Sequence, residues 1–337
     1  MVTVCVQTDA GIKGTGYTYT VGSGGSAITR LLADELAPLL CGCDPRCTEQ
    51  TWRQMWRHLH YVGRGGLAGF AVSAVDIALW DIKAQAGGEP LWRLLGGASS
   101  RVPAYAGGVD LHFTTEELLA EMDDYLAQGF HALKIKVGHD DLKQDIERVA
   151  AVRRRIGPDV VLMLDANMRW RLDEALRAVK ALRDFDPFWL EEPFEPDYEE
   201  AHATLAARGI PIATGENLHT IAEFQRMMDR GGVSFVQPDL TNAGGVTGWM
   251  KVAHAAECRN LPVSSHGAHD LHVHLLCAVA NASYLEVHRF GLDRFLAAPL
   301  TLEDGCAVAP DRPGHGLQFK WDDLEAFRIA SGDRSQA

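Results

Sequence analysis

Seven short apolar runs, rich in β-branched residues, recur along the chain after its first hundred residues, and each carries a charged group at its exit end. The runs are Ala132–Val137, Val160–Ala166, Phe188–Glu191, Ile210–Thr214, Val233–Gln237, Pro262–Ser265 and Tyr284–Val287. Amphipathic stretches separate them. In one, Leu142, Ile146, Val149, Val152 and Ile156 follow helical spacing and stop at Gly157-Pro158. Strands alternating with helices imply βα units on a parallel sheet, and this many units favour closure into a TIM-type α/β barrel over a doubly wound sheet.

In such a barrel the active site lies where strands end. The exit residues are Lys134 and Lys136, then Asp165, Glu191, Glu216, Asp239, His266 and Glu286. From Lys136 onward their intervals are 29, 26, 25, 23, 27 and 20 residues, so the charges stay in phase with the units. A single Asp or Asn there is usually a helix cap. A charge on every unit demands pairing, metal or solvent, because isolated charges on apolar strands are costly.

Lys134 and Lys136 are two apart on one strand and point to the same face. Asp165, Glu191 and Glu216 come from consecutive strands, and three converging carboxylates need a cation between them. An all-oxygen donor set points to Mg²⁺ first and Mn²⁺ second. His266 and Asp239 sit on neighbouring units, where a carboxylate orients an imidazole. Together these groups suit removal of an α-proton from a carboxylate substrate, with the dianion stabilised by metal and lysine. The second base then returns a proton to the other face or protonates a departing β-hydroxyl.

These residues resemble the enolase superfamily, mandelate racemase subgroup. The matching motifs are Lys134-Ile-Lys136, Leu164-Asp165-Ala166-Asn167, Trp189-Leu190-Glu191-Glu192-Pro193, Gly215-Glu216-Asn217, Pro238-Asp239, Gly244 to Trp249, Ser264-Ser265-His266 and Leu285-Glu286. The resemblance implies a modified (β/α)7β barrel under an α+β capping domain. It makes Lys136 one acid/base catalyst, Lys134 a partner of the substrate carboxylate, and His266 with Asp239 the second catalyst. It also implies Mg²⁺ on Asp165, Glu191 and Glu216, a hydrogen bond from Glu286 to the enolate oxygen, and Asn167 as a substrate contact. The expected organisation is a cap over residues 1–97, the barrel over 98–291, and a tail over 292–337 that returns to the cap. Against the family pattern the cap looks short of its first strand and lid. Gly14 to Tyr19 reads as the second lid segment, with Tyr17 and Tyr19 as specificity residues.

Within residues 1–97, Ala27–Leu40, Thr51–His60 and Ala68–Ala86 have helical spacing. The tail is expected to end in a short strand, Gly316–Trp321. A hydrophobic fraction of 47% over 337 residues excludes disorder for most of the chain. No apolar run approaches the roughly 20 residues of a membrane span. With 32 basic and 45 acidic residues the net charge is −13, which argues against nucleic acid or an anionic membrane as partner. The Cys41-x-Cys43-x3-Cys47 cluster lacks the second paired knuckle of a zinc site and reads as free thiols, which suits a reducing cytoplasm.

The leading expectation is a Mg²⁺-dependent dehydratase acting on a sugar acid, an aldonate or aldarate. A racemase or epimerase of a 2-hydroxy acid uses the same groups. A non-catalytic acid-binding protein is the reading from another class. A Schiff-base aldolase leaves the three carboxylates unexplained. A homo-oligomer, joined through the Trp-bearing helices of the cap, completes the expectations.

Overall fold

The computed structural model describes residues 1–329. The chain opens with an antiparallel hairpin, β1 (Val2–Gln7) and β2 (Lys13–Thr18), registered from Val2 opposite Thr18 to Gln7 opposite Lys13. The hairpin lies on the helix Leu67–Gly87. Gly14 and Gly16 permit this close approach, because a Cβ there would stand 2.2 Å from the Ala78 carbonyl and 2.0 Å from that of Ala74. The expected lid segment Gly14 to Tyr19 is therefore mostly a strand, fixed to a buried helix by backbone contact.

The barrel strands are β3 (Arg101–Gly107), β4 (Ala132–Lys136), β5 (Val161–Asp165), β6 (Leu190–Glu191), β7 (Ile212–Thr214), β8 (Phe235–Val236) and β9 (Leu285–His288). They pair in parallel from β3 through β8, and β9 lies parallel beside β3. Single bridges, Val236 to Val263 and Val263 to Ala282, carry the pairing from β8 round to the segment entering β9. Lys136 stands opposite Asp165, and Asp165 opposite Glu191, so the sheet register itself aligns the exit charges. Helices follow the strands in alternation, from Thr115–Ala127 after β3 to His269–Leu276 after the Val263 bridge. Their apolar faces pack on the outside of the sheet, as Val149, Val152 and Ile156 do.

Three sequence expectations change. β3 opens the barrel although the sequence did not mark it, because Pro103 and the terminal Gly107 weaken its strand pattern. Pro262–Ser265 pairs only through its single bridges. The expected strand Gly316–Trp321 reduces to one bridge between Leu296 and Phe319, and Trp321 instead starts the helix Trp321–Glu325.

The tail runs through β10 (Thr301–Glu303) and β11 (Cys306–Val308), which pairs antiparallel with β3. It then returns to the N-terminal unit, where Leu91 N donates to Gly314 O and His315 Nε2 bonds Thr15 O at 2.7 Å.

The seam between the N-terminal unit and the barrel is polar and bonded across. Asp76 accepts from Thr247 N and Oγ1, at 2.8 and 2.7 Å, and Ser73 Oγ accepts from Gly244 N and Gly245 N. Burial pushes the Asp76 carboxyl up to about 7, against those bonds. The indoles of Trp52 and Trp80 donate to Gly244 O and Thr247 Oγ1 across the same seam. Both indoles are thereby bonded within the chain. Cys41, Cys43 and Cys47 are exposed free thiols.

Candidate active site

Strand ends bring every expected barrel residue to one mouth. Running round the ring, β4 supplies the lysines, β5 Asp165, β6 Glu191, and the turn after β7 Glu216. Asp239 follows β8, His266 follows the Val263 bridge, and Glu286 lies on β9. β4 and β8 are four strands apart, so the lysines and the Asp239–His266 pair occupy opposing arcs of an eight-position ring.

The lysine arc is a dense ionic network. Lys134 Nζ is 2.5 Å from Glu191 Oε1, 2.7 Å from Glu286 Oε1 and 3.5 Å from Asp165 Oδ2. Lys136 Nζ pairs directly with Asp165 Oδ2. Burial works against the Lys134 ammonium, but Glu191 and Glu286 overcome it and hold its pKa well above the usual lysine range. Glu286 lies well below the usual carboxylate range: burial alone would raise it, and Lys134 and His266 outweigh that. Its other oxygen accepts from Gly267 N at 2.9 Å.

The histidine arc holds one imidazole between carboxylates. His266 Nδ1 is 3.0 Å from Asp239 Oδ2, and Nε2 is 3.3 Å from Glu216 Oε2. Burial lowers its pKa, yet Glu216, Asp239 and Glu286 push it up to about 10. Tyr19 OH donates to that same Asp239 oxygen at 2.6 Å and stands 3.4 Å from His266 Nδ1. Tyr17 is buried, and its hydroxyl donates to Asp270 at 2.9 Å. Neither tyrosine offers a free hydroxyl: Tyr19 reaches the mouth through Asp239, and Tyr17 ends on Asp270. Asn167 is tied to its neighbour, with N 2.8 Å from Asp165 Oδ1, and adopts a positive φ of 42°.

Several residues at the mouth escaped the sequence reading. Gln237 Nε2 and Trp189 Nε1 donate to Glu191 Oε2 at 2.9 and 3.1 Å. Glu192 is buried and accepts from Asn217 Nδ2. Asp110 accepts from Lys136 N and pairs with Arg148. Gln237, Trp189 and Glu192 lay beside residues singled out in the sequence. Asp110 follows the unrecognised strand β3, so no strand end pointed to it.

The donor set fits a hard divalent ion. Asp165, Glu191 and Glu216 offer oxygen only, and their buried charge is in surplus. Burial, with Asp165, Glu286 and Glu216 nearby, pushes Glu191 up to about 8 despite Lys134. Burial and the Asp165 charge likewise raise Glu216. As the side chains stand, lysine and histidine nitrogens hold these oxygens, and among the described residues no three His, Cys, Asp or Glu groups converge into a ready coordination shell.

Residues 117–323 match the enolase C-terminal domain-like family, and residues 1–96 match the mandelate racemase / muconate lactonizing enzyme N-terminal domain. The chain belongs to the mandelate racemase subgroup of the enolase superfamily, as its motifs implied. It is 46% identical, over 98% of its length and 91% of the relative's, to a 3,6-anhydro-alpha-L-galactonate cycloisomerase of Streptomyces coelicolor. A racemase from Streptomyces coelicolor A3(2), solved with bound magnesium, superposes with a TM-score of 0.94 at 45% identity, over 96% of this chain and 90% of that one. An L-talarate dehydratase from Polaromonas sp. JS666, complexed with Mg and L-glucarate, gives 0.90 at 34% identity, over 94% and 85%.

Proposed function

We propose that this protein removes the α-proton of a sugar acid and eliminates the oxygen on the β-carbon, giving a 2-keto-3-deoxy acid. The observation that carries this reading is the pair of nitrogen bases, Lys136 and the Asp239-held His266, on opposing arcs of a mouth lined by carboxylates. Asp165, Glu191 and Glu216 would hold Mg²⁺, or Mn²⁺, which supplies positive charge against the dianion that forms as the proton leaves. Lys134, fixed between Glu191 and Glu286, sets a further ammonium beside the substrate carboxylate.

One base takes the C2 proton. The C3–O bond then breaks with its electron pair going to oxygen, and the opposing base, now as an acid, protonates that oxygen. The enol left behind becomes the 2-keto acid by moving its hydroxyl proton to C3. A hydroxyl leaving group departs as water, which makes the reaction a dehydration.

A second reading is favoured by the 46% identity to an anhydro-galactonate cycloisomerase. In a 3,6-anhydro acid the C3 oxygen is the ring ether. The same two steps then open the ring and leave that oxygen on C6, so nothing is lost and the reaction is an isomerisation.

The test is a panel of aldonates, aldarates and 3,6-anhydroaldonates incubated with Mg²⁺ in D₂O and followed by NMR. Keto product carrying one solvent deuterium at C3 supports elimination, and the substrate turned over chooses between the two readings. Exchange at C2 without keto product would instead indicate a racemase or epimerase. No exchange with any acid would leave a binding protein.

A further inference from the structure

His288 closes β9, two residues beyond Glu286 and therefore on the same face of the strand. It is 9% exposed, and among the described residues neither Nδ1 nor Nε2 has a hydrogen-bond partner. Buried polar groups are almost always bonded, so a buried imidazole with both nitrogens unmet calls for a partner that comes and goes. The ring stands 6.4 Å from that of His266 and 5.9 Å from that of His269, and Phe290 packs against it. With Tyr19, His269 and Asp270 it lines a cavity that the first strand of the N-terminal hairpin also lines. His269 Nδ1, on the same wall, is also buried and has no partner among the described residues.

The charges around this wall decide what it can accept. His269 is paired with Asp293 at 3.1 Å, Asp270 holds Tyr17, and Glu286 holds Lys134. Burial keeps His288 neutral, with a pKa lowered to about 3; Glu286 opposes that shift while His269, His266 and Lys134 add to it. A neutral imidazole offers one donor and one acceptor, the complement of a hydroxyl. A second substrate carboxylate would meet Asp270 on a wall whose His269 is already paired with Asp293. Arg294 and Arg328 also line the cavity; both are exposed, and Arg294 lies over Phe295.

We propose that His288 is a specificity residue that takes a hydroxyl of the sugar acid beyond its reacting carbons, and that the site thereby selects monocarboxylate aldonates, open or anhydro, over dicarboxylate aldarates. This rests on the sugar-acid reading above and narrows its substrate class.

The experiment compares kcat/KM for a six-carbon aldonate, the matching aldarate and glycerate, which has no hydroxyl beyond C3. It uses the wild type with Mg²⁺ and the variants His288→Leu and His288→Asn, with α-proton exchange recorded alongside. The wild type should prefer the aldonate to the aldarate. His288→Leu should cut the aldonate-over-glycerate ratio by about 10- to 100-fold, the consequence of leaving one buried hydroxyl unpaired. That loss should fall mainly on KM, and His288→Asn should restore part of it. If His288→Leu does not fold, the ratio in His288→Asn lying below that of the wild type carries the test. An unchanged ratio in a folded variant, or a wild type that prefers the aldarate, overturns the inference about His288 while α-proton exchange keeps the parent reading intact. A wild type that exchanges no α-proton overturns both.

Discussion

The two arcs of the mouth are built differently. Barrel strands alone make the lysine arc: Lys134 and Lys136 lie on β4, and their partners Asp165, Glu191 and Glu286 lie on β5, β6 and β9. The histidine arc needs a second unit of the chain. Asp239 shares one oxygen between His266 and Tyr19, and Tyr19 directly follows the N-terminal strand β2. One arc is thus set by sheet register, and the other by how the N-terminal unit seats on the barrel. Damage to the seam should fall on the histidine arc and spare the lysine arc.

The largest effect should come from the bases themselves. Lys136→Ala or His266→Asn should each lower the elimination rate roughly a thousand-fold, because elimination needs one group as base and the other as acid. Steady-state kinetics on the substrate found by the panel checks this. Next is the seam. Trp52→Ala removes a 6% exposed indole bonded to Gly244 O, and should cost about 3 kcal/mol of stability or more, read by denaturant unfolding. If the arcs are built as described, residual activity in that variant should show a weakened histidine half.

A pH effect follows from His274, on the helix after His266. Burial, with His315 and Arg312 adding, lowers its pKa to about 3, although its bond to His315 O works the other way. The unfolded imidazole titrates near 6.5, so the contribution is complete above that pH and is lost as pH falls toward 3. Each unit of acidification through this window should remove about 1.4 kcal/mol. Melting curves between pH 7 and 5 should fall less steeply in His274→Gln than in the wild type.

The smallest effect is the sharpest probe of the difference between arcs. Tyr19→Phe removes only the hydroxyl that bonds Asp239, and should lower kcat about tenfold with KM little changed. The matching change on the other arc, Tyr105→Phe, removes a hydroxyl 3.4 Å from Lys134 Nζ and should do less, because Glu191 and Glu286 hold that ammonium more closely. Equal losses from the two variants would break the contrast.

The same division governs how much could be read in the sequence. Asp165, Glu191 and His266 stood out because a strand exit in a barrel fixes both the position and the direction of its last side chain. The regular interval between exits made them visible together. Tyr19 was singled out only as part of a lid segment: its contact with Asp239 spans 220 residues, and no periodicity encodes such a distance. Strand β2 was read as a lid segment for a related reason. Gly14 and Gly16 resemble a flexible loop until the backbone of helix Leu67–Gly87 is seen against them. His288 lies one alternation beyond Glu286, yet its significance comes from an absence of partners that only the folded arrangement reveals.

Stereochemically resolved exchange in D₂O tests most directly the claim that two bases from opposing arcs flank one α-carbon. For a sugar acid offered as its two C2 epimers, Lys136→Ala should retain exchange with one epimer and lose it with the other, and His266→Asn should show the reverse. Loss of both epimers in both variants, or retention of the same epimer by both, would contradict a site with one base on each face.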